Sequence, residues 1–194
     1  IFALLFIVIG FPLFLLIAFL VKFSSRGPIF FFHKRLGKNK KYFYCIKFRT
    51  MHPEADDMLK NLLNKNEKVK IEFENNHKLK KDPRITPIGK LLRKTSLDEI
   101  PQFLNVIKGE MSIVGPRPIV DAEAKKYKKT LMRVLSVKPG ITGLWQVSGR
   151  NNLSYKKRVF LDSLYSENIN FLLDFRILIR TLGVILFPND RGAY

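Results

Sequence analysis

Two acids stand side by side in the segment Thr95-Ser96-Leu97-Asp98-Glu99-Ile100-Pro101-Gln102, between a basic stretch and an apolar one. Adjacent carboxylates can attack an electrophile, accept a proton or ligate a divalent cation. The same letters also fit a plainer role. Ser96 followed three residues later by Glu99 matches a helix capping box, in which both groups satisfy backbone N–H donors. The surroundings weigh against capping alone. Arg93 and Lys94 precede the acids, and Gly115-Pro116-Arg117-Pro118 follows as a loop stiffened by two prolines around one arginine. Pro139-Gly140-Ile141-Thr142-Gly143 and Ser148-Gly149-Arg150-Asn151-Asn152 form two further loops carrying glycine, a hydroxyl and a base. An arginine fork matches phosphate oxygens, so convergent arginines beside a carboxylate pair suit a phosphorylated substrate.

Other phosphate chemistries leave no trace. There is no Gly-x-x-x-x-Gly-Lys-Ser/Thr run and no strand-linked Gly-x-Gly-x-x-Gly, which disfavours a P-loop hydrolase and a dinucleotide fold. His33, His52 and His77 are scattered without metal-ligand spacing, and the single cysteine, Cys45, rules out an internal disulfide and reads as a packed thiol. The chain has 194 residues, 46% of them apolar, enough for one domain with a core. Its 35 Lys and Arg against 16 Asp and Glu give a formal charge of +19, which favours phosphate, nucleic acid or an acidic membrane surface as partner.

The elements that position these residues can be read coarsely. Ile29 to His33 and Tyr42 to Met51 form a hairpin candidate around the turn Gly37 to Lys41. Strand alternation would place Phe43, Cys45, Lys47 and Arg49 on one face, so that Lys47 and Arg49 point together. Helices are expected at Asp56 to Lys65, Ile88 to Lys94, Asp121 to Leu135, Tyr155 to Tyr165 and Asn170 to Phe187. The last carries an apolar stripe of Leu172, Phe175, Ile179, Leu182 and Leu186; Asp174, Arg176 and Arg180 interrupt it, so it should pack or lie at an interface and not span, with a core-facing placement favoured over a membrane-lying one. The Lys- and Asn-rich excursion from Ala55 to Leu79 reads as solvated and without chemistry.

Ile1 to Val21 contains no charged residue, and a helix of that length could cross a hydrocarbon core of about 30 Å. No basic leader or cleavage pattern marks it as a secretory signal. Gly10-Phe11-Pro12 lies at its midpoint, where a bend would return the chain to the side it entered; an ordinary span with a tolerated proline is the other reading. Under both, Lys22, Arg26, Lys34 and Arg35 place the remainder on the cytoplasmic side. The chain starts at Ile1, not Met, and is expected to be part of a longer protein.

From about Gly10 to Tyr194 the chain resembles the monotopic phosphoglycosyl transferases, or bacterial sugar transferases. The resemblance rests on Gly27-Pro28, Lys47-Phe48-Arg49-Thr50-Met51, Asp82-Pro83-Arg84-Ile85-Thr86, the run Leu92 to Gln102, Asn105-Val106, Lys108-Gly109-Glu110-Met111-Ser112, Val114-Gly115-Pro116-Arg117-Pro118, and Pro139 to Asn151. Ordered motifs at consistent spacing make it specific. It implies an α+β fold: a mostly helical cytosolic domain (23–194) with a short β-hairpin, anchored by a re-entrant membrane helix (1–22) kinked at Pro12. It further implies that Asp98 is a nucleophile with Glu99 beside it and Mg²⁺ as cofactor; Mg²⁺ is assigned to Asp98, with Glu99 as a second metal ligand, a proton acceptor or a capping group. The wording Gly143-Leu144-Trp145-Gln146 and the ending Arg191-Gly192-Ala193-Tyr194 look closest to the large members, which use UDP-glucose or UDP-galactose.

The implied reaction moves a sugar 1-phosphate from a UDP-sugar to undecaprenyl phosphate at the cytoplasmic face of the bacterial inner membrane. An anionic nucleophile nearing a diphosphate meets repulsion of about 4 kcal/mol per charge pair at ~4 Å and an effective dielectric near 20. On this reading Lys47, Arg49, Arg93, Arg117, Arg150 and Asn151 contact the phosphates or the nucleotide and offset that cost. The implied partners are the UDP-sugar, the polyprenol phosphate and the membrane, with a homodimer allowed and no nucleic acid. A nucleic-acid binder would explain +19 but not the apolar start, and a non-catalytic membrane scaffold would not explain acids among arginines.

Overall fold

In the computed structural model, residues 2–76, 79 and 81–187 are described, with backbone alone at 2, 4–6, 75, 76 and 151. The chain runs through α1 (Phe2–Ser24), β1 (Phe30–Leu36), β2 (Tyr42–Phe48), α2 (Ala55–Lys65), α3 (Glu67–Asn76), α4 (Pro87–Thr95), α5 (Gln102–Ile107) and β3 (Ser112–Val114). It continues through α6 (Asp121–Tyr127), α7 (Leu131–Val134), β4 (Gly140–Thr142), α8 (Leu144–Val147), α9 (Tyr155–Glu167) and α10 (Phe171–Leu186). Single 3-10 turns lie at Lys38–Lys40, Leu97–Glu99, Lys128–Thr130 and Arg150–Asn152. Helix predominates, with the expected hairpin.

β1 and β2 pair antiparallel, Phe30 opposite Phe48 and Leu36 opposite Tyr42. The first strand extends past His33 to Leu36, and the second stops at Phe48, short of Met51. Asn39 and Lys40 close the hairpin at positive φ, a conformation that asparagine tolerates. A second, parallel pairing joins β3 to β4, Ser112 opposite Gly140 and Val114 opposite Thr142. A side chain on Gly140 would meet the Gly115 backbone nitrogen at 2.1 Å, so glycine alone lets the two loops touch.

α1 is apolar on every side, and Pro12 lies within it. Its second half is not free: Phe14, Ile17, Ala18 and Val21 share a core with Ile29 and Phe30 of the hairpin side, Phe48, and Ile88 and Leu92 of α4. Leu97 and Ile100, which flank the acid pair, pack into that same core. The apolar helix and the candidate site therefore stand on one foundation. α4 is seated by Gly89, where an added Cβ would lie 2.0 Å from the Thr50 carbonyl oxygen.

Three expectations need correction. The helix foreseen from Asp121 to Leu135 breaks at Lys128, φ 46°, into α6, a 3-10 turn and α7. Lys125, Lys126, Lys128 and Lys129 crowd like charges into one helical turn there. The stripe Leu172, Phe175, Ile179, Leu182 and Leu186 on α10 faces outward, not into the core. The buried side of α10 is carried by Ile177 and Val184, with Leu173 and Leu178 partly buried against Val114, Val147 and Tyr165. The excursion holds two helices, α2 and α3, instead of one.

Candidate active site

Thr86 starts α4 by accepting the Gly89 N–H on its hydroxyl at 2.9 Å, with Pro87 in the first turn. The helix ends where Ser96 turns left-handed at φ 60° and ψ 17°. The chain then reverses into the 3-10 turn Leu97–Glu99, with Leu97 and Ile100 directed inward. This geometry overturns the capping-box alternative. The Ser96 hydroxyl caps no backbone donor and instead accepts Arg150 Nη2 at 2.9 Å, 54 residues further along the chain.

The two acids have different surroundings. Glu99 is held by Lys47, whose Nζ lies 2.6 Å from its Oε1. Burial raises the Glu99 pKa, but Lys47, its hydrogen bond, Arg117 and Arg150 outweigh burial and hold the carboxyl below its ordinary value. Asp98 is buried and, among the described residues, forms no ion pair and accepts no side-chain hydrogen bond. Burial first, and the Glu99 charge second, push it up to about 6, against the pull of Lys47 and Arg93. One acid is paired, and the other is uncommitted beside it.

The sequence-predicted bases divide similarly. Lys47 and Arg150 touch the acid pair or its turn. Arg93 is steadied by donating Nε to the Thr50 hydroxyl at 2.8 Å, and its charge acts on Asp98. Arg117 lies over the Trp145 ring, 5.9 Å from its centroid, and its charge reaches Glu99. Buried Arg150 Nη1 has no hydrogen-bond partner among the described residues, a donor suited to an anion. Arg49 lies one residue past the end of β2, where its backbone N–H still donates to the Ile29 carbonyl at 2.9 Å. Its guanidinium closes on the Arg26 and Ser25 carbonyls, both at 2.8 Å, and pins the connector after α1. Asn151 contributes backbone to the turn Arg150–Asn152, and its side chain lies outside the described residues, as do His77 and the ending Arg191 to Tyr194.

The positioning role of one residue escaped the sequence reading. Asn105 is fully buried: its Oδ1 accepts the Ile46 N–H at 3.0 Å, and its Nδ2 donates to the Tyr44 carbonyl at 2.8 Å and to Glu110 Oε2 at 2.7 Å. It joins α5 to β2 and thereby sets Lys47 against Glu99. Its signal in the sequence was the Asn105-Val106 motif of the resemblance, an asparagine set in an apolar run, to which no role was given. Cys45 is a buried free thiol, as expected.

Among the described residues no three His, Cys, Asp or Glu side chains gather into a metal cage. Asp98 and the second oxygen of Glu99 nevertheless offer the two-carboxylate set that suits Mg²⁺ when substrate phosphates complete its shell. The repulsion that raises Asp98 is what a dication would relieve. The arrangement is a buried, unpaired carboxylate among cations, which is chemically able to act as a nucleophile or to ligate a cation.

The sequence model of the family described as bacterial sugar transferase matches residues 1–188. An uncharacterized sugar transferase of Haemophilus influenzae is 48% identical over 188 residues, 97% of this chain and 39% of the relative. The exopolysaccharide production protein ExoY of Rhizobium meliloti is 46% identical over 183 residues, 94% of this chain and 80% of ExoY. The undecaprenyl-phosphate galactose phosphotransferase of Salmonella typhimurium is 48% identical over 168 residues, 87% of this chain and 35% of the relative. The chain thus spans well under half of two of these relatives and most of the third. On the match across nearly its whole length, this chain belongs to the bacterial sugar transferase family.

Proposed function

We propose that the chain transfers a hexose 1-phosphate from a UDP-sugar to undecaprenyl phosphate, releasing UMP, in two steps through Asp98. The observation that carries this reading is the split of the acid pair: Glu99 is neutralised by Lys47, while Asp98 is buried, unpaired and surrounded by bases. In the first step an Asp98 oxygen forms a bond to the sugar-bearing phosphorus, and the bond from that phosphorus to the oxygen bridging to UMP breaks. In the second, an oxygen of the lipid phosphate attacks the same phosphorus and frees the Asp98 carboxylate. No bond at the sugar carbon breaks, so anomeric configuration is retained.

Arg93, Arg117 and Arg150 hold the phosphate oxygens, and Lys47 keeps Glu99 ionised and in place. Mg²⁺ at Asp98 and Glu99 would neutralise charge building on the leaving phosphate. The lipid acceptor calls for a site at the bilayer, and the core that carries Leu97 and Ile100 is shared with α1. Pro12 falls just ahead of the packed half, where a re-entrant turn would bring the helix back to the cytoplasmic face of the inner membrane. Galactose or glucose as the sugar is supported by the Salmonella relative's name and by the resemblance to the large members.

The test is UMP release from a panel of UDP-sugars in the presence of Mg²⁺ and undecaprenyl phosphate. Release with one UDP-hexose, abolished by chelating the metal, supports the reading. Absence of release with every donor, from protein shown to be folded, sinks it.

A further inference from the structure

The loop Gly115-Pro116-Arg117-Pro118 presents Arg117 to the acid pair, and its two prolines leave it with few backbone donors of its own. The surroundings supply what the loop lacks. Pro116 accepts the Gly140 N–H on its carbonyl at 2.8 Å, and Ile119 accepts that of Leu36 at 2.8 Å. Between them the Pro118 carbonyl accepts Nη1 of Arg35 at 3.0 Å. Arg35 is buried and otherwise engaged with His33 Nδ1 at 3.2 Å and Glu123 at 3.7 Å. On the other side of the loop stands Asp162, buried in α9, whose Oδ2 accepts the Tyr127 hydroxyl at 2.8 Å. Its other oxygen, Oδ1, is buried with no hydrogen-bond partner among the described residues; burial pushes Asp162 up to about 7, against the pull of the Tyr127 hydroxyl, the neighbouring Arg117 backbone N–H and the Arg117 charge. Arg117, Tyr127 and Trp145 line one small cavity here together with Arg158.

Buried charges of both signs are costly unless they are hydrogen-bonded; Arg35 gives one of its bonds to this loop, and Asp162 keeps one buried oxygen without a bond among the described residues. We infer that Arg35 and Asp162, the latter braced by Tyr127, are positioning residues that clamp the Pro116–Pro118 loop from two sides and so aim Arg117 at Glu99 and the incoming phosphate. The inference rests on the reading of the site proposed above. The clamp acts through Arg117 and touches no substrate.

Trp145 is the sole tryptophan, and the guanidiniums of Arg158 and Arg117 both lie over its ring, 5.0 and 5.9 Å from its centroid, so the part of its emission that Arg117→Ala removes reports the placement of Arg117 whether or not the protein turns over. The experiment compares Arg35→Met, Asp162→Ala and Tyr127→Phe, each made in wild type and in Arg117→Ala, with folding checked by circular dichroism. In wild type each variant is expected to move the Trp145 emission in the same direction as Arg117→Ala does. Arg35→Met and Asp162→Ala should also lower kcat/KM for UMP release by about tenfold or more. In the Arg117→Ala background the same changes should leave emission unmoved and cost less than about threefold. Tyr127→Phe removes one hydroxyl and keeps the ring, so it decides the case if a charge variant does not fold. Unchanged emission in folded variants, or equal losses in both backgrounds, would overturn the clamp. If wild type releases no UMP from any UDP-sugar, the functional reading fails by itself, and the emission comparison alone decides the clamp.

Discussion

At the scale of residues, two neighbouring acids differ because one has a lysine at 2.6 Å and the other has none. The difference separates catalysis from stability. With Asp98 raised to about 6, only its ionised fraction attacks, so initial UMP release at limiting UDP-sugar should climb as pH rises through that value, and added Mg²⁺ should draw the midpoint lower. For stability the sign is opposite. The folded pKa lies above the unfolded value of about 3.9, so the native state binds the proton more tightly. That contribution is present below about pH 4 and lost as pH rises through about 6. Asp98→Asn should therefore cut activity at least about 1,000-fold while melting above wild type at pH 8, a gap that closes near pH 4 by calorimetry. What was legible is the gathering of charges: type and setting singled out Asp98, Glu99, Arg93, Arg117 and Arg150, the family resemblance assigned them together with Lys47, and the charges of these bases do act on the two acids. The engagement of Arg49 was not, because the Arg26 and Ser25 carbonyls that take up its guanidinium lie more than twenty residues earlier in the chain.

At the scale of elements, the site depends on contacts between segments far apart in the chain. Asn105 ties α5 to β2, and Asn105→Ala would strand the Ile46 N–H and the Tyr44 carbonyl inside the protein. A loss of about 3–5 kcal/mol in denaturant unfolding is expected, against about 1–3 for a single orphaned group. Gly89→Ala should be comparably damaging, since the Thr50 backbone leaves no room for a methyl group at 2.0 Å. Helix positions were largely readable, as α2, α4, α9 and α10 fall within two residues of their expected bounds. Orientation was harder. Periodicity identified an apolar stripe on α10, but an apolar stripe faces either a core or a lipid surface, and a 3.6-residue repeat cannot distinguish them. The Ser96–Glu99 pattern misled for a related reason: it specifies which groups could cap a helix, while the left-handed Ser96 and a distant arginine decided where they went.

At the scale of the whole molecule, two apolar surfaces lie outside any core, on α1 at Val8, Ile9, Phe11 and Phe19 and on α10 at Phe171, Leu172, Ile179 and Leu182. α1 is the one described helix long and apolar enough to cross a membrane by length and composition. With a charge of +19, these surfaces fit a protein held at an anionic bilayer. Leu172→Glu with Leu182→Glu should weaken flotation with anionic vesicles about tenfold without lowering the melting temperature, because both positions are exposed. The shared core beneath Asp98 and α1 was not visible in the sequence, since it joins residues 14–21 to 88–100. On the proposed function, it would let the Asp98 carboxylate stand within reach of a lipid headgroup. The most direct measurement of the central claim is mass spectrometry of the protein after incubation with UDP-sugar and Mg²⁺ in the absence of lipid acceptor. A hexose phosphate bound to Asp98, formed together with UMP, is the predicted result. A folded Asp98→Asn variant that still acquires the same mass would contradict it.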